Sequence, residues 1–297
     1  MNNCTKALVK LQNQLIKKYV ISFFLMSIFT STNAVETIQN KDVTYYAIVK
    51  NHVFAQDWHG NVTETGYSFL GYIFLKQDSE ITNAYLSFPG ASSRREVFPD
   101  FRKLNGVEKD TYLFIRSEKI YTDKDEYDKD YADGKYLVEF TSSAGSHRAE
   151  LSIEGGVYPE PAVMTLSQSG KKIQPDAIDA TQDLGVSWGG FPQGRADPRG
   201  ILDDVVFVIV KDCHGGKLLH SGRPYQGFHL LYSNKNYVIP RHTMLAGRKY
   251  ELIVDNGMVV DSNTDAGVPG VGFYAQTNKM PIYTTGASSP DSDCAIK

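Results

Sequence analysis

The chain has only three cysteines and two tryptophans among its 297 residues, carries no block of basic residues, and after its first 30 positions contains no long apolar run. Each scarcity excludes something. No later segment approaches the roughly 20 apolar residues that cross a bilayer as a helix, so no membrane span is expected once the N-terminal stretch is removed. With 34 acidic against 31 basic residues and no basic cluster, the surface would repel phosphates, which argues against a nucleic-acid partner. No histidine pairs with a cysteine or another histidine at zinc spacing, and Asp212-Cys213-His214-Gly215-Gly216, which offers one ligand pair, reads more simply as a hairpin turn. Gly267-Val268-Pro269-Gly270-Val271-Gly272 lacks the Lys-Ser/Thr that a phosphate loop needs. The expectation is a chain with no catalytic residue, no metal and no cofactor.

What is present begins with an N-terminal address. Lys6, Lys10, Lys17 and Lys18 stand without any acidic residue, the apolar stretch Tyr19 to Phe29 follows, and Thr32-Asn33-Ala34 precedes Val35-Glu36. That order of positive, apolar and small-residue segments is the pattern of a signal peptide over residues 1–34. Its apolar part is too short to anchor the chain, so release is expected, into the periplasm, onto the cell surface or into the medium. Cleavage would remove four lysines and no acid, leaving 27 basic against 34 acidic residues. It would also remove Cys4. Cys213 and Cys294 remain, and an even count in an oxidising compartment permits one disulfide between the C-terminal tail and the second domain. Two unpaired thiols are the alternative, since spacing alone does not set the distance between them.

The remaining length suits two domains of ordinary size. Short runs rich in Tyr, Phe, Val, Ile and Thr alternate with Gly, Pro, Asn and Asp clusters, and no segment shows a helical period. Strands are predicted at 45–53, 67–75, 81–88, 111–116, 136–141, 148–153, 162–167, 184–188, 205–211, 237–239, 250–255 and 272–277. Many short strands separated by turn signals indicate an all-β chain of two tandem immunoglobulin-like β-sandwiches. The boundary is expected at Gly155-Gly156-Val157-Tyr158-Pro159-Glu160-Pro161, whose prolines favour an extended linker. That gives domains over 35–156 and 157–285, with a flexible tail over 286–297.

Both halves contain a turn glycine followed by a tyrosine that enters a late strand: Gly134-Lys135-Tyr136 and Gly247-Arg248-Lys249-Tyr250. This is what a tyrosine corner looks like in sequence. With Tyr158-Pro159-Glu160-Pro161, Val186-Ser187-Trp188, Asp203-Asp204-Val205-Val206 and Leu245-Ala246-Gly247, the second half resembles a fibronectin type III or related immunoglobulin-like domain. The first half, through Tyr131-Ala132-Asp133-Gly134-Lys135-Tyr136, is similar to N-terminal β-domains of secreted bacterial proteins without an assigned function. These motifs specify fold, not chemistry.

Three patterns invite a chemical reading. Gly185-Val186-Ser187-Trp188-Gly189 matches the G-x-S-x-G of serine hydrolases, with Asp204 and then His220, His229 or His242 downstream. The nucleophile elbow needs a helix next, and Phe191-Pro192-Gln193-Gly194 does not supply one. Asp123, Asp125, Asp128, Asp130 and Asp133 suggest calcium, but the spacing fails at Tyr127 and Tyr131, which favours a solvated loop. Trp58, Tyr67 and Tyr72 are candidate glycan contacts, weighed against ordinary packing in a sandwich. The expected function is a non-catalytic extracellular binding or adhesion module with a glycan or protein partner. The alternatives are a secreted serine hydrolase or glycan-active enzyme, and a structural component of an envelope.

Overall fold

In the computed structural model, residues 40–90, 94–99, 112–287 and 294 are described. The chain divides into residues 1–38 and 39–297, and every described residue belongs to the second unit. The signal peptide, residue 111 of the fourth predicted strand and most of the 286–297 tail lie outside the described residues.

The first half contains β1 (Val43–Gln56), β2 (Val62–Leu75), β3 (Asn83–Ser87), β4 (Arg95–Val97), β5 (Tyr112–Arg116), α1 (Lys124–Asp130), β6 (Gly134–Ser142) and β7 (Gly145–Ile153). The second contains β8 (Met164–Gln168), β9 (Lys171–Ile173), β10 (Leu184–Trp188), β11 (Val205–Asp212), β12 (Lys217–His220), β13 (Leu230–Leu231), β14 (Asn236–Ile239), β15 (Lys249–Asn263) and β16 (Gly270–Tyr283). No described helix is long and apolar enough to cross a membrane.

Two self-contained sandwiches in tandem are not what these strands build. One eight-stranded sheet runs through both halves in the order β12-β11-β15-β16-β1-β2-β5, with β13 also paired to β11. Two four-stranded sheets, β4-β3-β6-β7 and β14-β10-β8-β9, complete the architecture. The halves are therefore fused at a parallel pair: β1 lies beside β16 in a register running from Tyr46↔Gly270 to Ala55↔Lys279. The cause lies in side-chain patterning. Tyr46 and Ile48 face the first core while Tyr45 and Ala47 are buried on the opposite face. On β16, Tyr274 joins the first core, Met280 and Ile282 the second, and Val271 and Phe273 the opposite face. A strand that buries both faces belongs in the middle of a covered sheet.

Each half keeps its own core on one face of the large sheet. The first packs Phe69, Ile73 and Ile115 against Leu86, Val138 and Leu151 of the β3-β6-β7 layer. The second packs Val208, Val254 and Met280 against Leu166, Val186 and Trp188. Burying side chains of this size contributes about 1.5–3 kcal/mol each. Gly270 is obligatory at the fused seam, because a Cβ there would sit 2.0 Å from the Tyr46 ring.

Both tyrosines singled out in the sequence bond backbone upstream of themselves. The Tyr136 hydroxyl donates to Ala132 O at 2.7 Å, and Tyr250 Oη accepts from Leu245 N at 2.8 Å. The stretch read as a solvated acidic loop is helical over Lys124–Asp130. Asp123 caps it, its Oδ1 accepting from the amides of Asp125 and Glu126. Tyr127 then buries completely in the first core.

Candidate functional site

Along β1 the inward positions change from apolar to polar: Tyr46 and Ile48 are followed by Lys50 and His52, and the strand ends at the buried Gln56. This is the strip between the two cores. Lys50 is 1% exposed, and its Nζ lies 2.6 Å from Asp133 Oδ1 and 3.0 Å from Asp128 Oδ1. The Tyr127 ring sits beneath it, 5.1 Å from the ammonium. Helix α1 delivers Tyr127 and Asp128 together, and the turn into β6 delivers Asp133. Burial would raise the Asp128 carboxyl, but hydrogen bonds from Lys124 and Lys50 hold it below its ordinary value.

Beside this ion cluster lies an aromatic wall. His52 stacks on Tyr67 at 4.4 Å, meets Tyr158 edge-on at 5.4 Å, and brings Nε2 within 3.2 Å of Glu64 Oε1. Burial lowers the His52 pKa against the opposing pull of Glu64. Burial likewise raises the phenols of Tyr127, Tyr158 and Tyr274, and that of Tyr67 to about 12. At neutral pH these groups keep their protons. The arrangement fixes a cation with carboxylates over the face of a neutral phenol, which suits cohesion better than proton transfer.

The linker at 155–161 is held on the same strip. Gly156 lies against the Tyr274 ring, where a Cβ would come within 2.1 Å, and Tyr158 packs edge-on to that ring at 5.0 Å. Beyond the prolines, side-chain amides take the place of a neighbouring strand. Gln276 Oε1 accepts from Ala162 N at 3.0 Å, and Asn278 Nδ2 donates to Ala162 O at 2.9 Å. Gln56 accepts from Met164 N at 2.7 Å and donates to Met164 O at 2.8 Å. The belt of Gln56, Gln276 and Asn278 satisfies backbone that would otherwise be buried unpaired.

The residues nominated from sequence are dispersed. Trp58 is 43% exposed at the turn between β1 and β2, edge-on to Tyr283 at 5.5 Å. Tyr67 is buried in the first core, whereas Tyr72 lies on the other face of β2, stacked on Phe74 and Phe114. The alternation of a strand prevents the last two from sharing one platform. Ser187 sits within β10, where its hydroxyl donates to Thr165 O at 3.4 Å, and no helix follows among the described residues. Asp204 is buried and accepts from Arg195 N and Val259 N rather than from a histidine. Of the acidic stretch, Asp123 caps α1, Asp128 and Asp133 bind Lys50, and Asp130 accepts from the Tyr121 hydroxyl at 2.6 Å. Cys213 and Cys294 are joined by a disulfide, their Cα atoms 5.6 Å apart.

The buried cluster itself went unnoticed in the sequence. Its one signal is Lys50 at the end of the apolar run Tyr45-Tyr46-Ala47-Ile48-Val49.

No protein-family model matches the chain, and no curated protein matches it. Among solved structures, the chain is similar to one titled "Biofilm associated protein - BSP domain", at 11% identity and a TM-score of 0.19. The match covers 80% of this chain and 30% of that one. A likeness at this TM-score carries no argument about fold or activity.

Proposed function

We propose that this chain is an exported, non-catalytic module that joins a binding or adhesion surface to an envelope and withstands tension between its two ends. The carrying observation is the parallel pairing of β1 with β16 in the middle of the large sheet. The chain enters this pair at Tyr46 and leaves it at Lys279, at opposite ends of a parallel ladder. Tension between those points loads the whole ladder in shear, so its hydrogen bonds resist together rather than one after another. Each contributes only about 0.5–1.5 kcal/mol net. Loading them in parallel raises the barrier to forced unfolding, which governs lifetime under load. The Lys50 cluster adds a side-chain tie from β1 to α1 and the β6 turn. The N-terminal lysines and apolar stretch support export. A hydrolase reading has little support, because Ser187 stands mid-strand and Asp204 serves the backbone.

Single-molecule pulling tests the proposal by comparing two directions on one protein. Handles at residues 40 and 286 shear β1 against β16; handles at residues 59 and 286 peel the same pair from one end. The shear direction is expected to need the clearly larger force at equal loading rate. Equal forces, or a weaker shear direction, would overturn the load-bearing reading.

A further inference from the structure

The β11–β12 hairpin ends in the turn Asp212-Cys213-His214-Gly215-Gly216. The donor atoms of Cys213, His214 and Cys294 all lie within 4.8 Å of one another. Two are sulfurs joined as a disulfide, and the third is an exposed imidazole on the residue after Cys213. The three are held by contacts other than the sulfur bridge. Asp212 Oδ1 accepts from His214 N at 2.9 Å and from Gly216 N at 2.7 Å, and Asp212 N donates to Gly216 O at 2.8 Å. On the other side Cys294, only 8% exposed, accepts from Lys249 N at 3.1 Å through its carbonyl. Cutting the bridge leaves both anchors in place.

We infer that this corner has two mutually exclusive states: a disulfide when oxidised, and a Cys213–His214–Cys294 site for Zn²⁺ when reduced. Two thiolates and one imidazole form a donor set suited to tetrahedral zinc, with the fourth position left to water. The chemistry balances with a dithiol as reductant. Two electrons and two protons pass from it to the bridge, which opens to two thiols while the dithiol closes to its own disulfide. Zinc then displaces the two thiol protons and binds both sulfurs and one ring nitrogen of His214. In either state Cys294 stays fastened to the β11–β12 hairpin. The inference is independent of the load-bearing proposal, since it requires only that the corner stay assembled.

The test uses the full chain, reduced with a phosphine under argon, freed of reductant by gel filtration and titrated with Co²⁺ as the spectroscopic probe. Reduced protein is expected to bind one Co²⁺ per chain with a near-ultraviolet thiolate-to-metal charge-transfer band. Zn²⁺ should abolish that band, and oxidised protein should show none. Cys213→Ser should fail to bind. His214→Ala alters an exposed side chain that the fold does not need, and should weaken binding by about tenfold or more, since even outer-sphere partners of a metal ligand are worth about 10–100-fold. Three results would overturn the inference: no band in the reduced chain, one metal per two chains, or His214→Ala binding as tightly as the unsubstituted protein. Circular dichroism of the reduced chain separates loss of the site from loss of the fold.

Discussion

An ammonium group withdrawn from water costs several kcal/mol even after relaxation, so Lys50, with 1% of its side chain exposed, must be compensated by what surrounds it. Its partners are less committed than it is. The side chains of Asp128 and Asp133 remain 34% and 48% exposed, so both carboxylates can recover hydration if the lysine is removed. The consequence differs from that of a fully buried pair, where the orphaned charge dominates. Lys50→Met, which keeps the volume and discards the charge, is expected to change unfolding free energy by no more than about 1 kcal/mol. Lys50→Ala removes the packing against Tyr127 as well and is expected to cost about 2–4 kcal/mol. Urea denaturation of both variants decides the matter, and a Met variant as unstable as the Ala variant would show that the carboxylates depend on the charge after all. In the sequence Lys50 is marked only as a charge that closes an apolar run. Its partners were not, because they lie 78 and 83 residues away and reach it only through α1 and the β6 turn.

At the scale of elements, apolar alternation and turn residues located the strands well: the run 67–75 falls inside β2, 205–211 inside β11, and 184–188 coincides with β10. Helix α1 escaped because seven residues make fewer than two turns, too few to display a period. The pairing of β1 with β16 escaped for another reason. Partners in a parallel ladder share no turn, and residues 46 and 270 carry no local mark of each other. The linker shows the same limit, since its prolines signalled an extended segment while the amides that receive it are on β1 and β16. Gln56→Leu tests that reception. The substitution preserves approximate volume but leaves Met164 N–H and C=O without their side-chain partners, at a cost of about 1–3 kcal/mol for each group left unsatisfied. Hydrogen exchange at the Met164 amide should accelerate well beyond that of β2 amides in the same molecule. Unchanged protection at Met164 would mean that the belt does not hold the linker.

For the whole molecule, the disulfide alters where tension travels. Load arriving beyond Cys294 crosses to Cys213, immediately after β11, before it can reach β16 along the chain. Strand β11 is antiparallel to β15, and β15 to β16, so β11 points the same way as β16 and β1. The oxidised protein is therefore also loaded in shear, now through three ladders in series: β1 with β16, β16 with β15, and β15 with β11. The bridge also closes a loop, because its cysteines are 81 residues apart. Those residues cannot extend under force while the bond is intact, and at about 3.3–3.6 Å per residue the hidden length is roughly 280 Å. Pulling the chain by handles outside residues 40 and 294, with and without reductant, should give complete unfolding lengths that differ by that amount. Reduction should also lower equilibrium stability by about 4 kcal/mol if the closed loop acts chiefly on the unfolded chain. Identical unfolding lengths in the two redox states would remove Cys213 and Cys294 from the load path. A length difference without a stability difference would keep them in it, and would place the effect of the bridge in the folded state rather than in the entropy of the unfolded one.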